Sequence, residues 1–173
     1  INGARCYIAI SGGLKVKSIF GSKSFFSNIT DSYFLKKNDE IKVSKKSKNK
    51  ILKWDRFNFK LNRSIEVFKG PEFDLLSSNS KNKLFKNEFT ISTNNRMAYN
   101  LVEKLQVGTK SIISSPVLPG SVQLTPSGKM IILHRDCQTT GGYPRILQLN
   151  ISSLNYLSQL KSTDKIKLRL INL

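Results

Sequence analysis

Between Asp136 and Pro144 the chain reads Asp-Cys-Gln-Thr-Thr-Gly-Gly-Tyr-Pro, a run of polar side chains followed by paired glycines, directly after an apolar stretch. A loop of this kind can present Asp136, Gln138, Thr139 and Thr140 together. Gly141 and Gly142 would let backbone N–H groups come close to a carboxylate or phosphate. On residue chemistry alone, a polar turn joining two strands is the more economical reading. Arg96, in Asn94-Asn95-Arg96-Met97-Ala98-Tyr99, is a second candidate, because a guanidinium can hold a substrate carboxylate with two hydrogen bonds. A surface arginine is the simpler account of it.

Other chemistries fail on ligand count or motif. His134 is the only histidine, and Cys6 and Cys137 lie far apart, so a zinc site is excluded. Cys137 as a nucleophile beside His134 and Asp136 is disfavoured, because on a strand residues 134 and 136 face away from residue 137. Free thiols suit a reducing compartment, which points to the cytoplasm. There is no Walker sequence, GxSxG elbow or HExxH motif.

The elements that must carry these residues read mostly as strands. Arg5–Ile10, Ile41–Val43, Asn62–Phe68, Phe89–Ser92, Ser121–Leu124, Lys129–Leu133, Arg145–Ile151 and Lys165–Ile171 have strand character, giving at least seven short strands. Thr125-Pro126-Ser127-Gly128 predicts a hairpin turn. Phe73–Leu76 reads as a short helix start, and Ser152–Leu160 as a helix capped by Ser152 or Ser153, with Leu154, Leu157 and Leu160 on one face. The expectation is a mostly β barrel or sandwich with one or two short helices.

At 173 residues one domain is expected, and 39% hydrophobic residues grouped in runs argue against global disorder. No apolar stretch approaches the length of a transmembrane helix, and no signal peptide is visible. The net charge of +18 invites a nucleic-acid reading, but only seven of the 29 basic residues are arginines. The densest patch, Lys36 to Lys53, reads as a solvated loop without interleaved aromatics, so nucleic acid is not the expected partner.

Taken together, Arg5-Cys6-Tyr7-Ile8-Ala9-Ile10-Ser11-Gly12-Gly13-Leu14, Ile19–Ser24, Arg96–Tyr99, Pro119-Gly120-Ser121-Val122-Gln123 and the Asp136–Pro144 segment resemble, in this order, one family. That family is the C subunit of 5-oxoprolinase, also called allophanate hydrolase subunit 2, the KipI antagonist KipA, or the urea carboxylase carboxyltransferase subdomains A and B. Ala98 stands where the family usually has Gly, and Leu124-Thr125 replaces a more usual apolar-Pro pair.

The resemblance implies a cyclophilin-like β-barrel over residues 1–173, forming the carboxyl-terminal part of a larger subunit whose amino-terminal part precedes Ile1. It implies work with a KipI-like B subunit and a LamB/YcsF-like A subunit, using ATP to hydrolyse 5-oxoproline to glutamate. Biotin would enter only in a urea-carboxylase-like reaction. By motif matching, Arg96, Gln123, Asp136, Gln138, Thr139, Thr140 and Tyr143 would form a polar pocket for a small amide or carboxylate, with Gly141 and Gly142 as backbone donors and no metal. Asp136 is the expected proton acceptor or ligand-orienting group, and Arg96 the expected anion binder. A KipA-like regulator that binds its partner without catalysis is the main competing expectation.

Overall fold

The computed structural model describes residues 3–26, 28–30, 35–44, 64–106 and 111–172. The chain divides into two compact units, one formed by Ile1–Arg5 with Asn58–Leu173 and the other by Cys6–Phe57.

The larger unit is a closed seven-stranded barrel. Its strands are β1 (Ser64–Lys69), β2 (Glu88–Asn94), β3 (Ala98–Lys104), β5 (Ser121–Leu124), β6 (Lys129–Leu133), β8 (Arg145–Leu149) and β9 (Lys165–Leu170); β4 (Ser115–Pro116) and β7 (Thr140–Gly141) pair separately outside it. The order around the barrel is β1-β8-β5-β6-β3-β2-β9, and it closes through the parallel pairing of β9 with β1. Alternation along most of its strands gives the barrel an apolar interior. Ile65 and Val67, Phe89 and Ile91, Tyr99 and Leu101, Met130 and Ile132, and Ile166 and Leu168 all point inward and are buried. The mostly β barrel with short helices is thus the architecture read from the sequence.

The β5–β6 hairpin forms over Thr125–Gly128 as expected. Gly128 takes φ 82°, a left-handed conformation that costs glycine nothing, and Thr125 Oγ1 accepts from the Lys129 N–H at 3.1 Å. Helix α2 spans Ile151–Leu157, but Asn150 rather than Ser152 or Ser153 is its cap, accepting from the Ser153 N–H at 2.7 Å. Ser153 instead turns inward, and its hydroxyl accepts from the Glu66 N–H. Phe73–Leu75 is a single 3-10 turn, followed by α1 (Ser78–Lys86).

Two expected strands are corrected. Among the described residues, Arg5–Ile10 has no ladder partner and is not a strand. The backbone of Ala4 and Arg5 instead bonds Gln159, beyond α2. β-branched residues need a neighbouring strand to satisfy their backbone groups, and here none is supplied. Ile41–Val43 keeps only one bridge, Leu14 to Val43, within the smaller unit. Of the lysine-rich patch, residues from Lys45 onward lie outside the described residues.

Candidate functional site

Strand β6 leaves the barrel at Leu133 and turns against the β2–β3 connection. The His134 N–H donates to the Met97 carbonyl at 2.8 Å, and the Asp136 N–H to the Arg96 carbonyl at 2.9 Å. Asn95 shapes the opposing turn, because its Oδ1 accepts from the N–H groups of Met97 and Ala98 at 2.8 and 2.9 Å. This double docking brings the two charged candidates together. Arg96 Nε lies 2.6 Å from Asp136 Oδ2, and Arg96 Nη2 donates to Oδ1 at 3.1 Å. The fork is bidentate but open to water, with 73% of the Arg96 side chain and 44% of the Asp136 side chain exposed.

His134 to Cys137 is a turn and not a strand, so the alternation argument against Cys137 does not apply. Its thiol is disfavoured for another reason. Burial and the adjacent Asp136 charge both push its pKa up, leaving less thiolate at neutral pH.

The remaining candidates gather behind this turn. Gln123, buried on β5, has its Oε1 3.5 Å from Gln138 Nε2 and its Nε2 3.5 Å from the Tyr143 carbonyl, two long contacts. Gly141 packs onto the same amide: a Cβ there would sit 2.5 Å from Gln123 Nε2. Neither Gly141 nor Gly142 has positive φ; Gly141 is needed for close approach. Thr139 and Thr140 are exposed. Thr140 pairs with Pro116 and Gly141 with Ser115, while the carbonyls of Thr139 and Gly142 accept from the N–H groups of Val117 and Ile112, each at 2.9 Å. Tyr143 is at the margin of exposure, with its carbonyl turned to Gln123.

Sequence reasoning missed one group. Arg145 binds Glu72 through Nε at 2.9 Å and Nη2 at 2.6 Å, and its Nη1 donates to the Pro116 carbonyl at 2.7 Å. The signal available was an arginine immediately after the Gly-Gly-Tyr-Pro run. His134, weighed in the sequence only as a ligand or as a neighbour of Cys137, has a buried ring 5.3 Å from the Tyr99 ring, and among the described residues neither ring nitrogen has a hydrogen-bond partner. Among the described residues, no three His, Cys, Asp or Glu side chains cluster as metal ligands. No helix among them is long and apolar enough to cross a membrane.

On this closed β-barrel the polar loop brings guanidinium, amide and hydroxyl groups to one end of β6 and β8. The chain belongs to the carboxyltransferase domain, subdomain A and B family, whose model matches residues 1–170. It is 28% identical over 166 residues to the C subunit of 5-oxoprolinase from Escherichia coli K12, covering 92% of this chain and 54% of that protein. It is 33% identical over 112 residues to the protein of the same name from Haemophilus influenzae, covering 63% of this chain and 36% of that protein. The chain therefore spans about half or less of the length of these relatives. In fold it is similar to TTHA0988, with a TM-score of 0.69 at 22% identity over 91% of this chain and 32% of that one. It is also similar to Kluyveromyces lactis urea carboxylase, with a TM-score of 0.59 at 18% identity over 63% of this chain and 11% of that one.

Proposed function

We propose that this chain is the substrate-binding part of a multi-subunit, ATP-dependent amide hydrolase, 5-oxoprolinase, which converts 5-oxoproline to glutamate. The names of its curated relatives support the reading. The observation that carries it is the exposed Arg96–Asp136 fork at the head of the Gln138–Tyr143 loop. An exposed ion pair is worth little to the fold, so a substrate carboxylate can take the place of Asp136 on Arg96. That exchange would orient the substrate and release the Asp136 carboxylate beside it. In amide hydrolysis water adds across the C–N bond, and Asp136 would take the proton that the attacking water gives up, which passes on to the leaving nitrogen. The Gln138 amide, the Thr139 and Thr140 hydroxyls, and N–H groups around Gly141 and Gly142 would donate to substrate oxygens, with Gln123 holding the loop from beneath.

ATP, bound by the partner subunits, would supply the phosphoryl group that activates the amide oxygen. The donor set in this chain suits a carboxylate better than a triphosphate. Biotin would be required only if the reaction were of the urea carboxylase type. The partners proposed are a KipI-like B subunit and a LamB/YcsF-like A subunit, and the two free thiols suit a cytoplasmic setting. Nucleic acid is not proposed as a ligand, since the basic excess is mostly lysine and its densest run, Lys36 to Lys53, lies outside the Asp136–Pro144 segment.

The test is Asp136→Ala in the chain assembled with its partner subunits. ATP-dependent release of glutamate from 5-oxoproline is expected to fall about a hundredfold or more; release at the wild-type level would sink the role given to Asp136. The mutual engagement of Arg96 and Asp136 also suits a second reading, a KipA-like regulator. A tight complex with the KipI-like partner that turns over neither 5-oxoproline, urea nor allophanate would favour that reading.

A further inference from the structure

The segment that carries the polar loop is held at its far end by an arginine bound to Glu72 and to the Pro116 carbonyl. Arg145 opens β8 directly after Pro144. Its backbone N–H and its Nε both donate to Glu72 Oε2, at 2.8 and 2.9 Å, while Nη2 reaches Oε1 at 2.6 Å. Its carbonyl in turn accepts from the Glu72 N–H at 3.2 Å. The turn that supplies Glu72 is fixed by buried Phe73 and by Gly70, where a Cβ would come within 2.1 Å of the Arg145 carbonyl oxygen. The third arm of the guanidinium, Nη1, holds the carbonyl of Pro116 at 2.7 Å.

Pro116 is the register partner of Thr140, and the next residue, Val117, donates to the Thr139 carbonyl. One guanidinium therefore ties together the turn after β1, strand β4 and the root of the loop. Strand β4 is only two residues long and has no neighbour but β7 in its sheet, so its own ladder gives it little rigidity.

We propose that Arg145, oriented by Glu72, is the positioning residue of the site: it fixes β4 and, through β4, the backbone of Thr139–Gly142. This rests on the hydrolase reading above. Side chains and N–H groups that meet developing charge must be held within a fraction of an ångström, and a two-residue strand cannot do that unaided. The Arg145 fork supplies the missing constraint from behind the loop, without touching substrate.

The experiment compares Arg145→Met, which keeps the apolar stem but removes the fork, with Glu72→Gln and with the reversed pair Glu72→Arg/Arg145→Glu, all in the chain assembled with its partners. In Arg145→Met, hydrogen exchange at the Val117 and Ile112 amides should quicken tenfold or more, while exchange at His134, bonded to Met97, stays at the wild-type rate. The kcat for ATP-dependent glutamate release should drop at least tenfold, with the KM for ATP unchanged. The reversed pair should recover thermal stability but not kcat, because it lacks the Nη1 bond to Pro116. Wild-type exchange at both amides would overturn the proposal, and so would a reversed pair that restored kcat along with stability. If Arg145→Met does not fold, Glu72→Gln, which keeps shape and volume, decides by the same exchange readout. If the wild-type complex releases no glutamate, the hydrolase reading fails, and exchange at Val117 and Ile112 still decides the positioning role.

Discussion

Arg145 and Glu72 keep 19% and 17% of their side chains exposed, whereas Arg96 and Asp136 keep 73% and 44%. The two pairs stand at opposite ends of the same stretch, residues 136–145, and use the same chemistry. At the Arg145 end each guanidinium nitrogen is engaged, with both Glu72 oxygens and a backbone carbonyl. There the hydrogen bonds with Arg145 hold the Glu72 carboxyl below its usual range, against the opposing pull of burial, and raise Arg145. At the Arg96 end, water competes for both partners. The difference separates anchoring from exchange: a shielded fork resists replacement, and an open one can trade its carboxylate for a ligand's.

The shielded end is most vulnerable at Gly70. Gly70→Ala places a carbon 2.1 Å from the Arg145 carbonyl oxygen, which is backbone and cannot swing aside. The expected loss is about 3 kcal/mol or more, read as a fall in the denaturation midpoint at unchanged slope. Glu72→Ala removes the shielded carboxylate and leaves the Arg145 fork half-buried without it. A loss of about 2 kcal/mol is expected by the same measurement. A loss below about 0.5 kcal/mol would show that the shielded pair is no anchor.

How much of this could be read beforehand follows from distance along the chain. The β5–β6 hairpin is legible because Thr125-Pro126-Ser127-Gly128 encodes its turn within four residues. Strand β3 is not, since the alternation of Tyr99, Asn100 and Leu101 lasts only three residues before apolar Val102 falls on the outer face and Glu103 on the inner register. The expected strand at Arg5–Ile10 fails because a strand is made by its neighbour, which no local run can specify. Arg96 and Asp136 were each recognisable from their motifs, but their pairing spans 40 residues. The Arg145–Glu72 contact spans 73, with no motif at Glu72 to advertise it.

His134 sharpens the comparison at the Arg96 end. Burial, with the charges of Arg5 and Arg135, lowers its pKa; the carbonyls of Leu154 and Arg96 oppose this only weakly, since neither makes a well-formed hydrogen bond to the ring, and the Tyr99 ring lies 5.3 Å away. The folded value lies below the unfolded value near 6.5, so the unfolded chain takes up the proton first as pH falls. The stabilisation is complete above pH 6.5 and declines below it, by at most about 1.4 kcal/mol per pH unit, until the folded pKa is passed. The lowered Glu72 carboxyl gives up its contribution only at more acid pH, below its ordinary 4.5, so the window between belongs to His134. His134→Leu removes two unpartnered ring nitrogens and should flatten that limb in pH-dependent urea titrations. An unchanged limb would assign the acid sensitivity elsewhere.

The smallest stability change is expected where the largest functional one falls. Asp136→Asn keeps the volume and the backbone bond to Arg96 while removing the charge, and an exposed pair of this kind contributes at most about 0.5 kcal/mol. The denaturation midpoint should therefore scarcely move. Ligand binding should separate the two partners. With Asp136 neutral, the charge of that carboxylate no longer competes for Arg96, so 5-oxoproline should bind at least as tightly as to wild type, by isothermal titration to the chain assembled with its partners. Arg96→Gln, equally mild for the fold, should weaken that binding tenfold or more, the order of one lost charge-assisted hydrogen bond. Opposite signs from the two halves of one ion pair follow only if the carboxylate and the ligand compete for the same guanidinium. If both variants weaken binding equally, the open pair is a joint ligand contact, and the contrast with the shielded pair is one of exposure alone.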